Sequence, residues 1–157
     1  RSGDIDPAII QYISEKENKS LDEVMKELNN KSGYLGLSEL SSDSRDLWEA
    51  VERGDKKSIL AVSKQAKMIA DYIGAYFIAL EGCDAICFTA GIGENASETR
   101  KLVVDRLKAL EVELDYERNL TRGEEKVISK ESSKIKLLLI PTNEEVMIAR
   151  DTLRLSK

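Results

Sequence analysis

Histidine is absent from the sequence. With it go general base catalysis by imidazole and most catalytic zinc sites, which are built on imidazole ligands. Cysteine is nearly absent, with Cys83 and Cys87 the two present. In an extended segment their Cα atoms would lie about 13 Å apart, whereas a disulfide spans roughly 4.4–6.8 Å. Their spacing fits no common zinc pattern, so both are read as small buried thiols of a cytoplasmic protein. No apolar run approaches the roughly 18 residues of a membrane span, and no basic start leads into an apolar stretch with a small-residue cleavage site. An excess of basic charge is also missing. The formal net charge of -5 sets the surface against a nucleic-acid backbone. What chemistry the chain performs must run on carboxylates, basic side chains, backbone dipoles or a bound ion.

The most informative stretch present is Asp84-Ala-Ile-Cys-Phe-Thr-Ala-Gly-Ile-Gly-Glu-Asn95. Ala85 to Ala90 form an apolar run without alternation, which predicts a central strand buried on both faces. Gly91 and Gly93 then predict a tight loop whose backbone can approach a partner, since neither carries a Cβ. Leu102, Val103, Leu107 and Leu110 recur at helical spacing and predict a helix from about Ala96 to Leu110. The free N–H groups of its first turn would face the loop, a place that attracts phosphate. Two other readings of this stretch exist. Gly91-x-Gly93-x-x-Ala96, with Glu113 and Asp115 about 20 residues on, fits the fingerprint of a Rossmann-type dinucleotide-binding oxidoreductase domain. The loop is otherwise a plain turn in a helical interaction module.

At 157 residues the chain suits one domain, burying about 68–70% of the surface that its unfolded form exposes. Asp6 and Pro7 read as N-cap and first residue of a helix carrying Ile9, Ile10 and Ile13. Ser20-Leu-Asp-Glu23 reads as a capping box for a second helix with Leu21, Val24, Met25 and Leu28 inward. Tyr34 to Asp43 is turn-rich, and Leu47, Trp48 and Val51 mark a short helix ending at Gly54. From Asp55 the longest helix keeps period 3.6 through Ile59, Val62, Ala66, Ile69, Ala70, Ile73, Phe77 and Leu80, with a stop at Gly82. Tyr116 to Ser133 reads mostly as surface structure with a minor strand at Val127-Ile128. Ile135 to Ile140 is a second buried strand stopped by Pro141. Thr142 then caps a terminal helix, with Glu145 at the capping-box position. Two clear strands are few for so many helices, so the chain is expected to be a piece of a larger α/β fold.

Four motifs stand in order along the chain: Arg1-Ser-Gly-Asp-Ile-Asp-Pro7, Ser42-Asp-Ser-Arg-Asp46, Phe88-Thr-Ala-Gly-Ile-Gly-Glu-Asn95 and Pro141-Thr-Asn-Glu-Glu145. Together they resemble the C-terminal part of the acetate kinase (acetokinase) family, over essentially all of residues 1-157. The resemblance implies an α/β fold of the actin-like, ribonuclease H-like, acetate and sugar kinase superfamily. It also implies a homodimer and the reaction of ATP with acetate to give ADP and acetyl phosphate, assisted by Mg2+. Propionate or another short-chain acid is an alternative substrate.

Carried over by motif, Gly91, Ile92, Gly93, Glu94 and Asn95 would form one wall of the ATP/ADP site. Asp43, Ser44 and Arg45 would line its adenosine side, although the family usually has a larger side chain than serine at position 44. Arg1 would stabilise the phosphoryl group in flight, and Glu144 would help to hold magnesium. The plain alternatives are a surface ion pair of Arg45 with Asp43 or Glu49, and a helix-N-terminal acid at Glu144. The family's transition-state histidine, second active-site arginine, phosphoryl-side aspartate and metal-side asparagine would belong to an N-terminal part outside this sequence. The chain is therefore expected to supply the nucleotide side of the site and to be inactive by itself.

Overall fold

The computed structural model describes residues 1–156, which divide into two compact units, Arg1–Gln65 and a second that begins at Ala66. In the first unit α1 (Ala8–Glu17) begins one residue later than expected, with Pro7 at the cap position, and the Asp6 carboxylate accepts the Ala8 N–H at 2.9 Å. It ends at Asn18, whose φ of 51° is left-handed. The predicted capping box opens α2 (Leu21–Asn30): Ser20 Oγ accepts the Glu23 N–H and the Glu23 carboxylate accepts the Ser20 N–H. The apolar face of α2 is narrower than its pattern suggests, with Val24 buried and Leu21 and Met25 exposed. The turn-rich segment contains a helix of its own, α3 (Gly33–Ser38). After α4 (Ser44–Glu52), the long helix α5 (Lys56–Ala79) runs much as its 3.6-residue period requires.

The second unit holds a three-stranded sheet in the order β1-β3-β2. β1 (Ala85–Phe88) pairs in parallel with β3 (Lys136–Leu139), in the register Ala85 with Lys136 and Phe88 with Leu139. β2 (Lys126–Val127) pairs antiparallel on the other side of β3. The central strand is thus β3, and β1, expected at the centre, lies at one edge. Nor is β1 buried on both faces. Phe88 is buried and Ile86 partly so, whereas Ala85 and Cys87 are exposed. The sequence hides this alternation because the outward residues are small and apolar. Cys87 is accordingly an exposed thiol and Cys83 a half-buried one, which corrects the expectation that both are buried.

A single apolar core joins Ala66 and Ala70 of α5 to Phe88, Val103, Val104, Leu107, Ile128, Ile135, Leu137 and Leu139. The helix expected from Ala96 to Leu110 is shorter. α7 (Ser97–Val104) is followed by tight i→i+3 bonds, Arg106 N–H to Val103 O and Leu107 N–H to Val104 O, and by a 3-10 turn at Lys108–Leu110. Leu107 stays buried with Val103 and Val104, and it is the residue just before the 3-10 turn. The terminal helix α8 (Glu144–Leu155) has no buried residue, and Val146, Ile148 and Leu153 are all exposed. Among the described residues no helix is long and apolar enough to cross a membrane.

Leu137 is fully buried in the central strand. Leu137→Ala should lower the free energy of unfolding by about 2–5 kcal/mol through lost transfer energy and an unfilled cavity. A urea melt measures it, and a loss below about 1 kcal/mol, the scale of a surface change, would contradict the central placement of β3.

Candidate functional site

The segment after β1 is not an open loop. Thr89 is extended, Ala90 adopts a left-handed φ of 59°, and Ala90–Asn95 form one short helix, α6. The left-handed conformation falls on an alanine, where it costs roughly 1–2 kcal/mol, and Gly91 and Gly93 are not among the positive-φ glycines. The glycines therefore do not serve the turn. A Cβ on Gly93 would stand 3.3 Å from the Phe88 carbonyl carbon, so this glycine lets α6 fold back tightly on the end of β1. A Cβ on Gly91 would meet nothing within 4 Å. The helical turn thus begins at Ala90 rather than at Ala96, because Gly93 allows it to close directly against the strand.

Two links anchor α6, and neither is apparent from the sequence pattern. Arg100 on α7 is fully buried, and its guanidinium donates every N–H it has. Nη1 donates to Gly93 O at 2.7 Å and Glu94 O at 2.9 Å, Nε to Asn119 Oδ1 at 2.8 Å, and Nη2 to Asn119 O and to Thr121 O, the last at 2.9 Å. All five acceptors are neutral oxygens. Burial lowers the Arg100 pKa, with Glu98 opposing and Arg122 adding to the shift. Asn119 is itself buried, and its Nδ2 donates to Ser97 O at 2.9 Å. Tyr116 to Ser133 is consequently more than surface structure: Asn119, Ile128, Ser129 and Ser133 are all buried. Only the position of Arg100, three residues before Val103 on the inward stripe of α7, hinted at its burial.

The second link is Glu94, whose Oε1 accepts the Thr142 N–H at 2.8 Å and the Thr142 hydroxyl at 2.9 Å. It joins the third sequence motif to the fourth. The bonds from the Thr142 N–H, then from its hydroxyl and from the Ala90 N–H, hold the Glu94 carboxyl below its ordinary 4.5, against a smaller opposing effect of burial. Since Thr142 is engaged there, the cap of α8 is Asn143, whose Oδ1 accepts the Val146 N–H at 3.1 Å. This replaces the expected capping box of Thr142 and Glu145. Glu144 opens α8 with an exposed carboxylate that makes no hydrogen bond or ion pair among the described residues. No group of three or more His, Cys, Asp or Glu side chains able to hold a metal occurs among them. Asn95, expected in the same wall, donates its Nδ2 to Gly91 O at 3.0 Å, and Ile92 is exposed.

The remaining candidates lie in the first unit. Asp43 caps α4, its Oδ1 accepting the Arg45 N–H at 2.8 Å, and Arg45 also grips that carboxylate with Nε and with Nη2 at 2.6 Å. The ion pair with Asp43 is the contact Arg45 makes, and its own side chain is 86% exposed. That guanidinium pulls the Asp43 carboxyl down to about 2. Ser44 is the first residue of α4. Arg1 is exposed, and its backbone lies against Gly33, where a Cβ would stand 2.7 Å from Arg1 O and where φ is +59°. Glycine is needed at position 33 on both counts.

The acids of the dinucleotide reading are occupied elsewhere. Glu113 pairs with Lys130, and the Asp115 carboxylate accepts the Glu117 and Arg118 N–H groups. Leu114, between them, bridges antiparallel to Ser129 instead of closing a parallel strand.

Residues 1–150 match the model of the acetokinase family. The chain belongs to that family. It is 56% identical over 155 residues to an acetate kinase of Acholeplasma laidlawii, covering 99% of this chain and 39% of that relative. A relative in Lachnoclostridium phytofermentans, also an acetate kinase, is 49% identical over the same share of each. The chain therefore spans about two fifths of the length of the curated acetokinases it matches. Among solved structures, acetate kinase of Porphyromonas gingivalis superposes with a TM-score of 0.91 at 39% identity, over 100% of this chain and 40% of that one. A propionate kinase of Francisella tularensis superposes at 0.87 with 36% identity, over 95% of this chain and 38% of that one. The α/β acetokinase fold anticipated from the four motifs is thus the fold observed.

Glu94 offers a direct check on the geometry. Its pKa is lowered in the folded protein, so the stabilisation from the Thr142 tether is present above the ordinary glutamate value and is lost as pH falls through the folded-state value. The Thr142 amide resonance should titrate with a midpoint below 4.5. Thr142→Val should raise that midpoint, and an unmoved midpoint at or above the ordinary value would contradict the tether.

Proposed function

We propose that this chain is the nucleotide-binding part of an acetokinase that transfers a phosphoryl group between ATP and the carboxylate of acetate. The observation that carries the proposal is the union of Phe88–Asn95 with Pro141–Glu144 through Glu94 and Thr142, in a chain of this family. In this reading the exposed backbone of Gly91 and Ile92 faces the nucleotide phosphates, while the Glu94 side chain is spent on holding the fourth motif in place. Asp43, Ser44 and Arg45 are assigned to the adenosine side and Arg1 to the phosphoryl group, each on the strength of its motif. A planar guanidinium suits three equatorial oxygens, and an arginine in such a role is worth about 10³–10⁵ in rate.

Acetate presents a carboxylate that is already a nucleophile, so a chain without histidine meets no obstacle on that account. Catalysis then rests on positioning and charge neutralisation. Glu144 fits magnesium as a single unengaged carboxylate, since that ion takes one or two carboxylates and fills its other positions with water and phosphate oxygens. When bound, the ion would neutralise phosphate charge. Acetate is preferred over propionate because the curated relatives are named for acetate. A cytoplasmic homodimer is part of the same proposal. The exposed Tyr76, Ile78 and Leu80 near the end of α5 and Ile148 and Leu155 of α8 are in keeping with burial against further protein.

Gly91 provides the test. An alanine there meets no protein atom within 4 Å, and in a helix it should leave stability unchanged or raise it by about 0.5–1 kcal/mol. Calorimetric titration should nevertheless show ADP binding weakened tenfold or more, about 1.4 kcal/mol, because the methyl occupies ligand space. Undiminished ADP affinity in the folded variant would remove Gly91 from the site. The 157-residue chain should bind ADP yet form no acetyl hydroxamate from ATP and acetate, and turnover near that of a whole acetokinase would overturn the proposal that it carries one side of the site.

A further inference from the structure

We propose that Arg100 is a positioning residue for the nucleotide segment, and that Asn119 to Thr121, remote in sequence, act on that segment through it. The inference rests on the nucleotide role of Gly91–Asn95 given above. A six-residue helix leaves its last carbonyls without partners inside the helix. In α6 these include Gly93 O and Glu94 O, and both are taken by Nη1 of Arg100. The opposite edge of the same planar group is fixed by Asn119 Oδ1, Asn119 O and Thr121 O. Asn119 in turn holds Ser97 O, at the start of α7. The guanidinium is therefore a rigid spacer between the 119–121 segment and the end of α6.

The direction of the carbonyls fixes the direction of everything attached to them. Gly93 and Glu94 present their oxygens inward to Arg100, which leaves Gly91 and Ile92 outward at the other end of α6 and sends the Glu94 carboxylate to Thr142. Lysine cannot substitute. It has three donors on one tetrahedral nitrogen, and five acceptors spread along two edges of a plane require the fork. A residue that only filled space here would not need to satisfy carbonyls from two separate segments at once.

The test compares Arg100→Lys and Asn119→Ala with the wild-type chain, using Ile128→Ala as a core control, since Ile128 is fully buried in the apolar core and makes none of the hydrogen bonds of either link. Each is titrated with ADP by calorimetry, and amide hydrogen exchange is followed at Thr142 and Ala96. Arg100→Lys should weaken ADP binding at least tenfold and speed exchange of the Thr142 amide, while Ile128→Ala lowers the melting temperature but holds ADP affinity within twofold. Asn119→Ala should fall between, and it carries the test should Arg100→Lys fail to fold. Equal affinities and equal Thr142 exchange in the two arginine-linked variants and the control would overturn the positioning role. Absence of ADP binding by the wild-type chain would instead overturn the nucleotide reading, and faster Thr142 exchange in Arg100→Lys would then still support the positioning of α6.

Discussion

A buried guanidinium hydrogen-bonded to neutral oxygens alone is the constraint on which the second unit depends. Arg100 is removed from water, and the cost of that burial is offset only because all five of its N–H groups find oxygens. The oxygens of buried Asn119 would otherwise be left unpaired, at a cost of about 1–3 kcal/mol each. The requirement runs both ways. Segments 93–94 and 119–121 must present their oxygens together for the arginine to be tolerated, and the arginine must be present for the segments to be close. Mutual dependence of this kind favours one arrangement over many, since a half-satisfied polar network is worse than an apolar core.

The local geometry of α6 follows from this anchor and from the sheet. β3 fixes β1 by parallel pairing, Phe88 closes the strand, and Gly93 allows the chain to double back so closely that a Cβ there would stand 3.3 Å from the Phe88 carbonyl carbon. Ala90 takes the left-handed φ that this reversal demands. Strain of that kind persists where the surroundings over-determine the backbone, and here the surroundings are the sheet on one side and Arg100 on the other. Glu94 then passes the placement on to Thr142, so the start of α8 and the exposed carboxylate of Glu144 follow from a contact 48 residues apart in sequence.

Much of this was legible in the sequence and some was not, for physical reasons that differ by residue. Capping signals were legible at Asp6, to within one residue, and at Ser20 because they depend on atoms a few residues apart. The long helix α5 was equally plain, its period being sustained over many turns. Strand position is not legible because Ala85 and Cys87 are apolar yet small enough to be left exposed at an edge. The cap of α8 moved from Thr142 to Asn143 because a distant carboxylate competes for the threonine hydroxyl, and no local pattern records that competition. Arg100 leaves no local signal for the same reason. An arginine on a helix ordinarily reads as a solvated face, and the partners that bury this one lie 19 to 21 residues further on. The four motifs, by contrast, pointed to the acetokinase family without any knowledge of these contacts.

In the proposed function the short helix after β1, held from behind by Arg100, presents its exposed backbone to a nucleotide. An amide-resolved NMR titration of the unmodified chain with ADP tests it most directly. Saturable shifts should be largest at the amides of residues 90–95, with a smaller response at Thr142. A folded chain whose amides in that segment stay unmoved at saturating ADP, or whose shifts cluster elsewhere in the second unit, would contradict the account.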